Sequence, residues 1–249
     1  MLLAVKVRHT AAAVETIAPH LREDGFVVSL QNGLEEYRIA AAVGAERTVG
    51  AALTFGGHYE RPGENVHGGP GSLHVGELDG ARTRRVERLA QLLSLAHPCD
   101  ITDRIFSVLW GKTALGAFYF ATALVAADVL EILERRGELP ELGELVAEVT
   151  RVAAAEGVEL EPVDGFDPAA FVRGDAGAIE ASWESQRRYW RGLEARRTGV
   201  WRDLNVHRRP TELREILGPV LDRAHANRTP TPRLERLYAE VERVEASFA

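Results

Sequence analysis

The sequence predicts an α/β part followed by an all-α part, and three observations support this fold class. Short apolar runs, LLAVKV, FVVSL and RTVGAALTF, alternate with segments of helical spacing, TAAAVETIAPHL and LEEYRIAAAV. A stretch rich in glycine and proline follows at residues 56–80. From about residue 104 onward the apolar residues recur with helical spacing throughout. Strands that alternate with helices indicate parallel βαβ units, whereas the remainder indicates packed helices.

Composition bounds the class of protein. The chain has 249 residues, of which 45% are hydrophobic, and its net charge is -7. Its arginines are interleaved with glutamates along the chain. This pattern disfavours a nucleic-acid-binding protein, because no basic block is formed. Cys99 is the single cysteine and residues 1–20 do not resemble a secretion signal, so we expect a cytoplasmic protein. The most apolar stretch, 105–133, contains Lys112 and Asp128 and fits a buried helix better than a membrane span.

In the first part, residues 1–103, the apolar runs should form neighbouring parallel strands. Ligands of such sheets bind at the carboxyl ends of the strands. Asn32, in the motif QNG, and Gly56 both fall at such ends. The sequence therefore predicts a ligand-binding edge that includes these two positions.

The stretch at 56–80, GGHYERPGENVHGGPGSLHVGELDG, predicts a hairpin of antiparallel strands. His58, His67 and His74 could be considered as metal ligands. They have no companion cysteine or cluster of carboxylates, so we expect no metal site.

The second part, residues 104–249, predicts helices connected by short loops. We expect helices over 105–135, 140–156, 177–195 and 210–226, an irregular piece over 157–175, and a last helix in TPTPRLERLYAEVERVEA that begins at its prolines.

The helix predicted over 105–135 contains an unusual charge. The chain has thirty basic residues, but only Lys6 and Lys112 are lysines. A lysine among apolar groups can have its pKa lowered enough to release a proton, which arginine does not do. The other interpretation is a lysine whose stem covers apolar surface while its head reaches water.

Positions 112, 116 and 120 share one stripe of this helix, which reads Lys112, Gly116, Phe120. A glycine inside a helix costs about 1 kcal/mol relative to alanine. We therefore expect a close approach of another chain segment or of a ligand at Gly116.

A second polar stretch, RRTGVWRDLNVHRRPTEL, lies about ninety residues further along the chain. It could be a solvated helix start with Thr211 or Asp203 as its cap. Alternatively, a glutamate from this stretch that lies near Lys112 could orient the amine and tune its proton affinity.

Five motifs in this order resemble the ketopantoate reductase (2-dehydropantoate 2-reductase) family: VK, QNG, the glycine-rich hairpin, LWxK, and GVWRDL followed by TE. The resemblance covers essentially the whole chain. It implies a Rossmann-like domain followed by a helical, 6-phosphogluconate-dehydrogenase-like domain. It also implies NADPH-dependent reduction of 2-dehydropantoate to pantoate, a step of pantothenate biosynthesis, with a small-molecule keto substrate. From the charge pattern and the apolar stretch above we expect no nucleic-acid and no membrane partner. A sheet edge left exposed by absent strands would favour self-association, so a homodimer is possible.

The resemblance assigns roles by position. Lys112 matches the catalytic lysine that gives a proton to the keto oxygen. Glu212 matches the glutamate that contacts the cofactor and orders the site. Asn32 matches an asparagine that touches both cofactor and substrate, while Lys6 and Gly56 match positions that line the nucleotide, NADP.

Two departures concern the substrate. The family has asparagines one and two turns after the lysine, where this chain has Gly116 and Phe120. Near GVWRD the family has serines that hold the substrate carboxylate, whereas the nearest hydroxyl here is that of Thr198. The stretch before Glu212 also differs from the family's in length by one residue. A site built to hydrogen-bond a polar substrate discriminates strongly against one that lacks the matching groups. The loss of the asparagines therefore argues against 2-dehydropantoate itself, and another 2-keto acid or ketone is a candidate substrate.

The family's GxGxxG loop is expected before LLAVKV. We therefore expect that this chain lacks that loop and two or more Rossmann strands, on the order of 70 residues given ~30 or more per βαβ unit, so that its Rossmann-like domain is partial. An alternative function is therefore a catalytically silent, truncated paralogue that acts as a dimerising or binding module. A further alternative, another dehydrogenase with a Rossmann and a helical domain, would not account for the pairing of LWxK with TE.

Overall fold

A five-stranded mixed sheet is the framework of the amino-terminal part of the chain. The computed structural model describes residues 1–248, with all their side chains except those of residues 58–60. The chain divides into two units, Met1–Leu109 and Trp110–Ala249.

The first unit alternates strands and helices. Its elements in order are β1 (Leu2–Leu3), α1 (Thr10–Ile17), β2 (Val27–Ser29), α2 (Glu35–Val43), β3 (Thr48–Leu53), β4 (Gly57–Arg61), β5 (Glu64–His67), β6 (Leu73–Glu77), α3 (Arg84–Leu93) and β7 (Cys99–Ile101). The strand order in the sheet is β1-β2-β3-β6-β7, and β1, β2 and β3 are parallel to one another. The predicted parallel βαβ units are thus confirmed for the first three strands.

Both faces of the sheet are covered, which explains why its strands are apolar without alternation. Successive residues of a strand point to opposite faces. Val27 accordingly packs in a cluster with Val14 and Ile39 of the helices α1 and α2, whereas Val28 packs in a cluster with Val86 of α3.

The glycine-rich stretch forms a hairpin only in part. Strands β4 and β5 pair with each other as an antiparallel two-stranded sheet. Strand β6 instead joins the main sheet antiparallel to β3, with Leu53 opposite Leu73. The prediction of one hairpin over 56–80 was wrong for this last segment, because Leu73 and Val75 are buried and need the main sheet to cover them. Gly76 permits the close packing here, since a Cβ at this position would lie 2.4 Å from the carbonyl oxygen of Thr102.

The second unit is helical. After α4 (Ile105–Ala123), which begins in the first unit, its helices are α5 (Val129–Glu134), α6 (Leu139–Ala155), α7 (Pro168–Arg173), α8 (Ala176–Arg191), α9 (Gly199–Arg202), a π-helix (Asp203–His207), α10 (Leu213–Ile216), α11 (Gly218–Asn227) and α12 (Pro232–Ala246). None of the helices in residues 1–248 is long and apolar enough to cross a membrane.

The long helix predicted over 105–135 is two helices. The first of them, α4, ends at Ala123. The second, α5, is capped by Asp128, which forms a capping box with Glu131. The side chain of Arg197 donates hydrogen bonds to the backbone oxygens of Ala126 and Ala127. These two oxygens are therefore satisfied without the N–H partners that a continuous helix would supply. Such a distant donor is invisible to a pattern of apolar spacing.

Two smaller predictions also needed correction. The helix predicted over 210–226 is divided into α10 and α11, and the second of these has Pro219 in its first turn, where proline's missing N–H is harmless. The piece predicted as irregular over 157–175 contains α7, whose start is capped by the carboxylate of Asp167.

Aromatic rings hold the middle of the helical unit together. The ring of Trp183, on α8, lies 5.1 Å from that of Phe171 and 5.2 Å from that of Phe118, measured between centroids. Phe118 is on α4, so this cluster fixes the helix that also carries Lys112. Rings at these separations add to the energy of apolar burial.

Candidate active site

Three of the predicted site residues lie at one edge of the sheet. Lys6, Asn32 and Gly56 each follow the carboxyl end of one of the parallel strands β1, β2 and β3. Since these strands are adjacent and parallel, their carboxyl ends share an edge. The side chains of Lys6 and Asn32 are exposed, and Gly56 is half-buried. The predicted common edge is thus confirmed for Asn32 and Gly56. Lys6 joins them because β1 ends at Leu3, whereas the run LLAVKV predicted a strand that includes Lys6.

Gln31 links two neighbouring segments at this edge, although no role was predicted for it from the sequence. Its amide nitrogen donates to the backbone oxygen of Val5 and to the hydroxyl of Thr10, both at 2.8 Å. Gln31 is 5% exposed, and its buried side-chain oxygen accepts no hydrogen bond from any described residue. The available signal was its place in the motif QNG, immediately before Asn32.

The helical unit carries the other predicted residues, beginning with Lys112 on α4. Its side chain is half-buried, while Gly111 and Thr113 on either side are buried. This exposure is compatible with both interpretations made from the sequence, so a catalytic role for Lys112 stays a prediction.

Gly116 and Phe120 behave differently from each other. A Cβ built at Gly116 would meet no described atom within 4 Å, so the expectation of a close approach by another chain segment was wrong. Phe120 is 2% exposed and belongs to the apolar interior. The stripe after Lys112 thus presents an open position and then a buried ring.

Thr198 begins the short helix α9. Its hydroxyl oxygen accepts a hydrogen bond from the backbone N–H of Trp201 at 3.0 Å, and the residue is 9% exposed. A hydroxyl that accepts one bond still has its own proton to donate. The amide of Asn205 donates to the backbone oxygen of Ala123 at 3.1 Å, which joins this segment to the end of the helix that carries Lys112.

A π-helix lies between Thr198 and Glu212. It covers Asp203–His207, and the carboxylate of Asp203 accepts from the side chain of Arg209 at its end. A π-turn holds one residue more than an α-turn, and such turns often arise at functional positions.

Glu212 lies directly before α10 and is 8% exposed. The preceding residue, Thr211, is held from two sides. Its hydroxyl accepts from the backbone N–H of Leu213 and donates to the carboxylate of Glu245, on α12. The cap position of α10 is nevertheless Glu212, which makes no side-chain cap bond, so the cap considered from the sequence at Thr211 was wrong by one residue. Thr211 is also buried rather than solvated. Glu245 was missed because nothing separates it from the other glutamates of its helix.

Two of the three histidines of the glycine-rich stretch, His67 and His74, contact neighbouring side chains. His67 stacks on the ring of Phe55 at 5.1 Å, and His74 is hydrogen-bonded to the hydroxyl of Ser72 at 2.8 Å. The side chain of His58 lies outside the described residues. Within the described part of the chain, no three histidine, cysteine or acidic side chains are grouped as metal ligands would be.

Two family models match this chain, one for each of its parts. Residues 1–80 match the model described as ketopantoate reductase PanE/ApbA, and residues 104–245 match the model of its C-terminal domain.

Individual proteins agree with this match. A 2-dehydropantoate 2-reductase of Archaeoglobus fulgidus is 32% identical over 164 residues, which cover 64% of this chain and 53% of that protein. The alignment thus spans about half of that relative's length. The crystal structure of 2-dehydropantoate 2-reductase from Geobacter metallireducens GS-15 is 26% identical, with a TM-score of 0.80 over 97% of this chain and 76% of its own.

The same fold occurs in a D-mandelate dehydrogenase whose structure contains NADH and anilino(oxo)acetate. It is 20% identical, with a TM-score of 0.81 over 99% of this chain and 76% of its own. A sheet edge that gathers Lys6, Asn32 and Gly56, a helical unit with Lys112 on its first helix, and family models that match both parts lead to one assignment. The chain belongs to the ketopantoate reductase family of oxidoreductases.

Proposed function

We propose that this chain carries out the NADPH-dependent reduction of a 2-keto acid or related ketone to the corresponding alcohol, in the manner of a 2-dehydropantoate 2-reductase. The observation that carries the proposal is the position of Lys112. It is one of two lysines in the chain, and it lies on α4 within the matched C-terminal family domain. The division of labour would be a dinucleotide-binding part at 1–103 and a substrate and catalytic part at 104–249.

The sheet edge fits a nicotinamide cofactor. Lys6, Asn32 and Gly56 would line it, and Glu212 would contact it from the helical part. The cofactor, when bound, supplies a hydride to the carbonyl carbon of the substrate. We propose NADP rather than NAD, following the family pattern of the motifs.

Lys112 would supply the second half of the reduction. As the carbonyl carbon gains a hydride, its oxygen gains negative charge, and the Lys112 ammonium donates the proton that completes the hydroxyl group. The amine recovers its proton from solvent afterwards. Proton transfer of this kind contributes about 10²- to 10⁴-fold to a rate. Glu212 would orient the ammonium, and the hydroxyl of Thr198 would donate a hydrogen bond to the substrate carboxylate.

The substrate is 2-dehydropantoate or another 2-keto acid, with Asn32, Lys112, Gly116, Phe120 and Thr198 as the residues that would line it. We also propose a cytoplasmic enzyme that forms homodimers. Size-exclusion chromatography with light scattering would test the dimer. The comparisons give no support to a catalytically silent module, because both parts of the chain match a reductase family.

The experiment measures NADPH binding and turnover by the purified chain. Titration followed by nicotinamide fluorescence gives the affinity, and NADH in a parallel titration tests the choice of cofactor. Oxidation of NADPH is then followed with 2-dehydropantoate and other 2-keto acids. We expect Lys112→Arg to lose turnover by at least about 100-fold with the fold intact, because a guanidinium does not release its proton.

Arg243→Met serves as the control, because Arg243 is an exposed cation on α12 that pairs with Glu240. It should leave turnover unchanged. Equal turnover in Lys112→Arg and the unaltered chain would remove Lys112 from the mechanism. No reduction of any 2-keto acid by the unaltered chain with either cofactor would overturn the proposed function itself.

A further inference from the structure

The glycine one turn after Lys112 is not explained by packing. A helical glycine is usually retained where a neighbour approaches its backbone. Gly143, on α6, is such a case, since a Cβ there would lie 3.0 Å from the ring of Phe171. A Cβ at Gly116, by contrast, would meet no atom within 4 Å in the described part of the chain. Gly116 therefore costs helix stability without bringing two elements closer.

The space above Gly116 lies beside Lys112. In an α-helix the Cα–Cβ bond tilts toward the amino terminus, so a side chain covers surface over the turn that precedes its own Cα. The side chain that Gly116 lacks would thus cover the surface next to residues 112 and 113. Its absence uncovers volume beside the stem of the lysine that we propose as proton donor.

The two positions of the stripe that follow Lys112 are apolar. Gly116 offers no polar side-chain atom, and Phe120, one turn further, is a buried ring. Ala117 and Ala114, which neighbour the same stripe, are fully buried small residues. A ligand group that occupies the space over Gly116 would gain from leaving water, but positions 116 and 120 would give it no side-chain partner for a hydroxyl or a charge.

We propose that Gly116 is a specificity-determining residue that admits 2-oxo acids with a bulky apolar group on the carbon next to the carbonyl. This inference rests on the proposed function and narrows its substrate class. The keto oxygen would face Lys112 and the bulky group would lie over Gly116. Substrates with a branched aliphatic or aromatic group are then favoured over pyruvate, which leaves the space empty, and over 2-dehydropantoate, whose hydroxyl would lose its hydrogen bonds to water.

The test compares kcat/KM for pyruvate, 3-methyl-2-oxobutanoate, phenylglyoxylate and 2-dehydropantoate in the unaltered chain and in Gly116→Ala and Gly116→Leu. We expect the unaltered chain to prefer phenylglyoxylate or 3-methyl-2-oxobutanoate. The ratio of kcat/KM for phenylglyoxylate to that for pyruvate should fall in the order Gly, Ala, Leu, by about 100-fold for leucine, since even one methylene changes discrimination by ~10- to 200-fold in an apolar pocket.

Gly177→Leu is the matched control, because Gly177 is also an open helical glycine, on α8, whose Cβ would meet only a side-chain oxygen of Asp175 at 3.5 Å. It should leave the ratio unchanged. Both Gly116 variants should fold, since alanine and leucine favour a helix more than glycine does. If the unaltered chain reduces 2-oxo acids but the ratio is the same in all Gly116 variants, the inference fails and the proposed function stands. If no 2-oxo acid is reduced, both are overturned.

Discussion

The carboxylate of Glu245 accepts hydrogen bonds from the backbone N–H and from the hydroxyl of Thr211, at 2.8 Å and 2.5 Å. The two residues are 34 positions apart, and Thr211 immediately precedes Glu212. The last helix of the chain therefore fixes the backbone on which the proposed active-site glutamate stands. In this way a residue without contact to substrate can determine where a carboxylate lies.

We expect Glu245→Ala to impair catalysis through Glu212. Loss of both bonds frees Thr211, so the Glu212 carboxylate is held less firmly and kcat should fall by about 10-fold or more, as misplacement of reacting groups does. The stability cost should be about 2 kcal/mol, typical of hydrogen bonds to a charged acceptor. Steady-state kinetics and urea denaturation measure the two effects.

Two variants separate positioning from general damage. Glu245→Gln keeps an oxygen that can accept both bonds, so it should recover most of kcat. Glu240→Ala removes an exposed glutamate of the same helix, whose partner is Arg243, and should change neither quantity. A kcat that is unaffected in Glu245→Ala despite lower stability would refute the positioning role.

Glu148 should be the most important single carboxylate for the stability of the helical unit. It is 2% exposed on α6 and accepts hydrogen bonds from the backbone N–H groups of Arg233 and Leu234, at 3.0 and 2.8 Å. These N–H groups belong to the first turn of α12 and have no partners within the helix. A negative charge at this end is also favoured by the helix dipole.

Glu148→Ala is expected to lower the free energy of unfolding by about 3 kcal/mol, because it leaves buried N–H groups unsatisfied. Glu148→Gln should cost less, since one oxygen remains. Glu141→Ala is the control: it removes an exposed ion pair with Arg233 and should cost at most about 1 kcal/mol. Thermal and urea denaturation would contradict this account if the alanine variants at 141 and 148 were equally stable.

The fold was predictable where local pattern and tertiary structure agree. Apolar runs separated by helical spacing correctly predicted three parallel strands, because both faces of these strands are buried. The pattern failed where a distant residue decides. Nothing in the run through 124–127 announces that Arg197 will bond its backbone oxygens. A local signal for the next helix was available, since Asp128 and Glu131 have the spacing of a capping box.

The candidate site, too, was predictable from local pattern in some parts and depended on distant residues in others. Asn32 and Gly56 could be placed at one edge because parallel strands end together. Lys6 could not, since the apolar run LLAVKV does not show that the first strand ends at Leu3. The open space at Gly116 could not be predicted, since helix propensity tells only that glycine is unfavourable and not whether a neighbour or an opening accounts for it. The roles of Gln31 and Glu245 depend on hydrogen bonds across 26 and 34 residues, which no spacing rule reveals.

Cys99 should be unreactive at neutral pH. Burial, together with the negative charge of Asp100, raises the pKa of its thiol to about 11. Only the thiolate is a nucleophile, so alkylation by iodoacetamide at pH 8 should be about 100-fold slower than for a thiol of ordinary pKa. The rate should rise about tenfold per pH unit until the pH approaches that pKa. Mass spectrometry follows this reaction without ambiguity, because the chain has one cysteine.

Two comparisons check the cause of this low reactivity. Chain unfolded in urea should react at the ordinary rate, since burial is then lost. Asp100→Asn removes the smaller of the two causes and should accelerate alkylation only modestly. Folded chain that reacts as fast as unfolded chain at pH 8 would show that the thiol is not protected.

Gln31 should couple the stability of the sheet edge to cofactor affinity. Its amide nitrogen donates to the backbone oxygen of Val5 and to the hydroxyl of Thr10, and so holds the segment that carries Lys6. Gln31→Leu removes both bonds at similar volume. We expect a loss of about 1–3 kcal/mol in stability, and at least about 10-fold weaker NADPH binding because the proposed cofactor edge is held less firmly.

Gln31→Glu also loses the donor to Val5 and should weaken both properties. Gln91→Leu, at an exposed position of α3, is the control for both. Denaturation gives the stability and fluorescence titration gives the affinity. Normal NADPH affinity in a destabilised Gln31→Leu chain would show that cofactor binding does not depend on how Gln31 holds this edge.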